Sequence, residues 1–365
     1  MTVAPPYRGG LLDLESVELT LEGYSIDEGS GGPSAGPLVL RPHDPARSSK
    51  LVDVGVARLL RAAAKGDPVP VAPAEGWVRS DVAAVVLDGV ASLRSGSLRV
   101  RGVDAVHDLF PALSEPDLQP GVLHRLSDRA LVAGAKYVGE RGLAGLLYAY
   151  GRLPVGDGEL AALPDRAAVS RWLGVEPIPD WLRPWRQHDL RAAGWWNLWH
   201  LRDAPQAIPS DQPAPKLYVS PRPADLPDAF RELCLAAAEV EIPTVKVGSD
   251  AHAVYRPDKL VAYAIDLAQL DALAARLLPR LSGAIAHGVP FTAERSADGL
   301  LSWGVDPAPT ETGVVRLSWR ESCAAVAADG LRRGADRDVR TATAMAKAWL
   351  WVNDIDPWTW SPVPP

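Results

Sequence analysis

Between residues 216 and 266 the chain alternates in a way that leaves few folds open. KLYVS (216–220) and TVKVG (244–248) switch between apolar and polar residues, and DKLVAYAID (258–266) is a longer apolar run. An amphipathic stretch, LPDAFRELCLAAAEVE (226–241), separates the first two. Period-two segments are strands, and apolar residues three and four apart make a helix. Strands that recur with helices between them call for a sheet with helices packed on it. The long apolar run belongs near the centre, where both faces are covered. LAQLDALAARLLPRLSGAIAHG (267–288) continues as one or two helices with Pro279 near a break, and VPFT and LLSWGVD read as short strands. SWRESCAAVAADGLRRG (318–334) reads as a helix stopped by Gly334, and TATAMAKAWLWVN (341–353) as the last helix.

The first 202 residues pattern differently. VELTL suggests a strand, and SGGPSAG (30–36) a turn or loop. LVDVGVARLLRAAAKG (51–66) reads as a helix, VRSDVAAVVLDGVASL (78–93) as either strand or helix, and SLRVRGV (97–103) as a short strand. Residues 122–151 read as two helices and 165–174 as another. Trp181, Trp185, Trp195, Trp196 and Trp199 crowd into 178–200, read as an amphipathic belt packing two halves together, with a peptide-gripping wall as the alternative. DAPQAIPSDQPAP (203–215) has four prolines and no periodicity, which suits a linker. The expected class is α+β. A largely helical region (1–202) that binds a peptide or partner precedes the linker (203–215), and a smaller mixed-sheet domain (216–365) follows.

Composition narrows the function. The 365 residues are 47% hydrophobic and 23% charged, enough for two cores. A net charge of −7 is wrong for a non-specific nucleic-acid surface, which needs basic residues. Without an apolar N-terminal segment or an 18-residue apolar run, no membrane partner is expected and a cytoplasmic location is. Cys234 and Cys323 lie in apolar helical patterns as core thiols, and the histidines show no metal-ligand spacing, so no metal is expected. There is no Gly-rich phosphate loop, kinase catalytic loop or serine nucleophile elbow.

Lys216 and Lys246 sit inside strand patterns and Arg256 just ahead of the third. Three cations at strand positions or ends suit a doubly charged phosphate, and arginine adds a two-pronged clamp. The plain alternative is that lysines in short strands are solvated edge residues and that Arg256-Pro257-Asp258 is a turn.

The order K-x-Y-V, helix, V-K-V, R-P-D-x-x-V-x-Y, F-T, L-S-W-G-V-D-P, then W-R-E-S-C-A-x-V-A and D-I-D-P-W resembles the HopA-like family over about 195–360. That family includes bacterial type III effectors and lyase-like components of class V lanthipeptide and thioamitide gene clusters. The resemblance implies chemistry like that of phosphothreonine lyases: metal- and cofactor-free β-elimination of phosphate from phosphoserine or phosphothreonine, leaving dehydroalanine or dehydrobutyrine. By position it implies that Lys246 is the base, that Lys216 and Arg256 bind phosphate, and that Arg320 or its competitor Arg316 supplies a further arginine. Where known lyases carry a histidine acid this chain has Tyr218. Tyr218 then replaces the acid, or His252 reaches in, or no protein acid is needed. The expected partners are a phosphorylated precursor peptide and a separate peptide kinase. The rival expectation is a non-catalytic phosphopeptide- or partner-binding protein, or an effector-like interaction protein.

Overall fold

The computed structural model describes residues 18–27, 38–46, 48–52, 54–65, 80–110, 120–188, 194–200, 213–307 and 317–363. The loop at 30–36, most of the proline-rich segment and Arg316 lie outside the described residues. The fold is α+β. It divides into two units that interleave along the chain: Met1–Gln119, Ala135–Glu140 and Val326–Ile355 form one, and Pro120–Gly134, Arg141–Ala325 and Asp356–Pro365 the other.

The first unit carries β1 (Glu18–Leu21), β2 (Tyr24–Asp27), β3 (Leu38–Pro42), β4 (Lys50–Val52), α1 (Val54–Lys65), α2 (Ser80–Leu87), β5 (Ala91–Ser95), β6 (Leu98–Val100) and α3 (Val106–Leu109). Its described strands form two three-stranded sheets, β1-β5-β6 and β2-β3-β4, so this part is less helical than its sequence suggests. The ambiguous 78–93 segment is both helix and strand. Gly89 at φ +70 makes the turn between α2 and β5, a conformation that a Cβ disfavours. Leu40, Leu60, Val86, Leu93 and Phe110 form the core of this unit with Met345.

The second unit carries α4 (Val122–Ala135), α5 (Leu143–Ala149), α6 (Asp157–Ala162), α7 (Arg166–Trp172), β7 (Trp185–His188), β8 (Trp195–His200), β9 (Ala214–Val219), α8 (Leu226–Glu239), β10 (Thr244–Gly248), α9 (Ala251–Val254), β11 (Leu260–Tyr263), α10 (Leu267–Arg280), β12 (Ala293–Glu294) and β13 (Leu301–Asp306). The unit boundary falls within α11 (Trp319–Arg333), and α12 (Val339–Trp351) belongs to the first unit. VPFT leads into β12 as a turn rather than a strand, with Phe291 at φ +64.

Seven strands form one antiparallel sheet in the order β12-β13-β9-β11-β10-β8-β7. The apolar run of β11 takes the middle place. Tryptophan-rich β7 and β8 belong to this sheet through the pairing of β8 with β10, so Trp185, Trp195, Trp196 and Trp199 are strand residues rather than a belt, while Trp181 sits in a short 3-10 turn (Asp180–Leu182) packed against the core. The same pairing is why the division expected at 203–215 is not the one observed: strands from either side of that segment share one sheet. On one face, Trp196, Leu198, Leu217, Val219, Val245, Val247, Leu260 and Ala262 pack beneath α8 and α10 into a continuous core. Truncating one such leucine to alanine costs about 2–5 kcal/mol. Cys234 and Cys323 are free and buried. No helix among the described residues is long and apolar enough to cross a membrane.

Candidate active site

Residues opposite one another in an antiparallel pair share a face of the sheet. Asn197 on β8 faces Lys246 on β10, Lys246 faces Val261 on β11, Val261 faces Tyr218 on β9, and Tyr218 faces Ser302 on β13. The adjoining row holds Thr244, Tyr263, Lys216 and Gly304. By the two-residue repeat, Trp195 and Asp306 lie on this face as well. The polar positions of K-L-Y-V, V-K-V and W-N-L thus gather on the face opposite the apolar core.

Lys216 is buried, and its ammonium lies 2.6 Å from Asp306. Burial pulls its pKa down, but Tyr263 and the Asp306 carboxylate outweigh that and hold it above the ordinary value. Lys216 is therefore a fixed positive charge. The other oxygen of Asp306 accepts the backbone N–H of Trp319 at 2.7 Å, tying the start of α11 to the sheet. Gly304 permits this approach, because a Cβ there would stand 2.2 Å from the Trp319 ring.

Lys246 differs although it shares the face. Its Nζ lies 4.0 Å from the Trp195 ring centre and makes no ion pair among the described residues. Burial first, then the Lys216 ammonium, lower its pKa to about 8, with Arg256 adding to the effect. At pH 7.5 about a quarter of such lysines are neutral, against about one in a thousand at the ordinary value. A neutral amine is what a lysine base requires.

Arg256 grips Asp258 with two hydrogen bonds, Nε to Oδ1 at 2.8 Å and Nη2 to Oδ2 at 2.9 Å. It also donates to the Tyr148 hydroxyl and lies 5.0 Å from the Trp195 ring centre, so Lys246 and Arg256 share that ring. Arg320, fully buried, places Nη1 2.8 Å from Asp258 and donates Nε to the Pro290 carbonyl and Nη2 to the Tyr148 carbonyl. Burial would raise the pKa of Asp258, but Arg320 and Arg256 hold it well below the usual carboxylate range. Two arginines around one carboxylate leave a net positive charge in a rigid frame.

Tyr218 is buried in the Lys246 row. Burial, then the Asp306 charge, push its pKa well up, so the phenol keeps its proton and can donate. His252 stands exposed on α9, whose Ala251, Ala253 and Val254 are buried, and it enters none of these contacts. The structure therefore brings together Lys216, Tyr218, Lys246, Arg256 and Arg320, and does not bring in His252. The sequence reading missed Tyr148, Asp258, Asp306, Trp195 and Asn197 as parts of this group. The two-residue repeat of WWNLWH and the aspartate of R-P-D were the available signals. No cluster among the described residues offers three or more metal-ligating side chains.

No protein-family model matches the chain, and no curated protein does. Solved structures similar to it include an effector protein from Pseudomonas syringae pv. tomato strain DC3000. The match covers 66% of this chain and 98% of that one at 16% identity, with a TM-score of 0.39. The type III effector/phosphothreonine lyase OspF from Shigella flexneri matches at 16% identity over 33% of this chain and 69% of its own, TM-score 0.28. The Chromobacterium violaceum VirA (SpvC) phosphothreonine lyase effector matches at 16% identity over 33% and 65%, TM-score 0.28.

Proposed function

We propose that this chain is a lyase that eliminates phosphate from a phosphoserine or phosphothreonine side chain in a peptide. The observation that carries the reading is a lysine with its pKa brought down to about 8, Lys246, on the same sheet face as the permanent charge of Lys216 and beside Arg256. Elimination needs a neutral base for a weakly acidic Cα proton and fixed positive charge for the departing phosphate. Preorganised charge of this kind is commonly the largest contribution to rate.

In the proposed step, neutral Lys246 takes the Cα proton. The C–H electron pair becomes the second bond of Cα=Cβ. The Cβ–O bond breaks, and its pair leaves with the phosphate. Tyr218 donates its phenolic proton to the departing oxygen, giving hydrogen phosphate. Proton loss from the Lys246 ammonium and proton return to Tyr218 restore the starting state. Arg256 receives the phosphate with the N–H that Asp258 leaves unused, and Lys216 supplies a second fixed charge. The substrate is a phosphorylated precursor in the making of a ribosomal peptide, modified beforehand by a separate kinase. The motif order from Lys216 to Trp358 supports this context.

Lys246→Ala tests the reading against a non-catalytic phosphopeptide binder. Turnover should fall by at least about 10²–10⁴-fold, while binding of a phosphothreonine peptide is retained. A variant that forms the alkene as fast as the parent refutes the assignment of Lys246 as base.

A further inference from the structure

The lyase chemistry leaves one charge unattended. When the Cα proton departs, negative charge flows onto the carbonyl oxygen of the same residue before the electron pair forms Cα=Cβ and the phosphate leaves. A site that lowers this barrier holds a hydrogen-bond donor at that oxygen as well as a base at the proton.

Resting on the lyase reading above, we propose that Asn197 is a catalytic residue whose side-chain amide donates to the substrate carbonyl oxygen as this enolate charge develops. Asn197 faces Lys246 directly across β8 and β10. Opposed side chains on neighbouring strands begin about 4.5–5.5 Å apart at Cβ. In a peptide, standard bond lengths place the carbonyl oxygen about 2.4 Å from Cα. A base over the Cα–H and a donor at the oxygen are thus needed one strand spacing apart, and Lys246 and Asn197 have that spacing.

The state of the side chain supports the assignment independently. Asn197 is 8% exposed, and its amide makes no hydrogen bond among the described residues. Its amide atoms are not sealed from solvent, so the side chain is packed in place yet keeps its donor open to a molecule on this face. Its neighbours do not compete for it. Lys246 stacks on the Trp195 ring, and Trp196 and Leu198 point to the apolar core. An asparagine, which stays neutral, also supplies its donor without raising the pKa of the base beside it. An aspartate there would hold Lys246 protonated.

The test uses the full chain and a phosphothreonine peptide, with and without deuterium at Cα, on the alkaline plateau of the pH profile. Asn197→Ala should lose about 10²-fold or more in kcat, with KM changed less than about threefold, and the primary deuterium isotope effect should be as large as in the parent or larger. Asn197→Asp preserves the shape but offers no donor and repels the enolate, so it should lose more than the alanine variant. Aspartate retaining parental kcat, or a loss that appears only in KM and in unfolding temperature, overturns the proposal. Lys246→Ala in the same assay separates the two readings. An active parent, a dead Lys246 variant and unaffected Asn197 variants refute the Asn197 assignment alone. A parent that makes no alkene refutes the lyase reading and this one with it.

Discussion

Replacing Lys216 with methionine should move the pH at which the lyase turns on. The substitution keeps the length of the side chain and removes the ammonium that helps to depress Lys246. Lys216 and Lys246 lie two strands and two residues apart on one face. With strands about 4.8 Å apart and residues about 3.4 Å apart, their Cα atoms are about 12 Å from each other. Ammonium groups converging to about 10 Å interact by about 1.7 kcal/mol at an effective dielectric of about 20, or about 1.2 pH units. The acid limb of kcat/KM reports the free enzyme's base. It should lie near pH 8 in the parent and about one unit higher in Lys216→Met, whatever the drop in its height. Asp306, left without its lysine, pushes in the same direction. Initial rates of alkene formation between pH 6 and 10, measured at low substrate by mass spectrometry, supply the profile. An acid limb that stays within about 0.3 units of the parent would mean that Lys246 is not the titrating base or that Lys216 does not act on it.

Three further outcomes follow from the same geometry. Tyr218→Phe should lower kcat by about 10²–10⁴-fold if its phenol protonates the leaving oxygen, and a phosphorylated substrate with a better leaving group should recover part of that loss in rate assays. Asp258→Ala leaves Arg256 and Arg320 buried without their shared carboxylate and should cost about 3–5 kcal/mol in urea unfolding. Lys259 is buried, with its pKa lowered to about 7 by desolvation, and donates to the Pro221 carbonyl and to Nδ1 of His287. Below pH 7 it is protonated whether folded or not; between about 7 and 10.5 the unfolded chain holds the proton and the folded chain does not. Its contribution therefore makes stability rise with pH across that window, at up to about 1.4 kcal/mol per unit, and Lys259→Met should flatten the rise in a thermal unfolding series.

The strands that build the site were readable because they obey one local rule. Alternation in KLYVS and TVKVG separates Leu217, Val219, Val245 and Val247 from Lys216, Tyr218 and Lys246, and the structure uses that division. WWNLWH obeys the same rule less visibly: tryptophan is apolar enough to hide the alternation, so Trp195 and Asn197 were not separated from Trp196 and Leu198. Other parts depend on contacts between distant residues. Tyr148 meets Arg256 across 108 positions, and Arg320 reaches the carbonyl of the same tyrosine across 172. The role of Asp306 depends on Gly304 making room for Trp319. His287 reads in sequence as a helix-end residue. In the structure it donates from Nε2 to the Gly151 carbonyl, which leaves Nδ1 to accept from Lys259. The pairing of β8 with β10, which unites strands from both sides of the proline-rich segment, has no local signature.

The central claim is elimination, and the product decides it. A phosphothreonine peptide incubated with the full chain, alone and with a peptide kinase, should lose the elements of phosphoric acid and then gain the mass of an added thiol at the new double bond. Recovery of a peptide carrying threonine in place of phosphothreonine would make the reaction a hydrolysis and contradict the account.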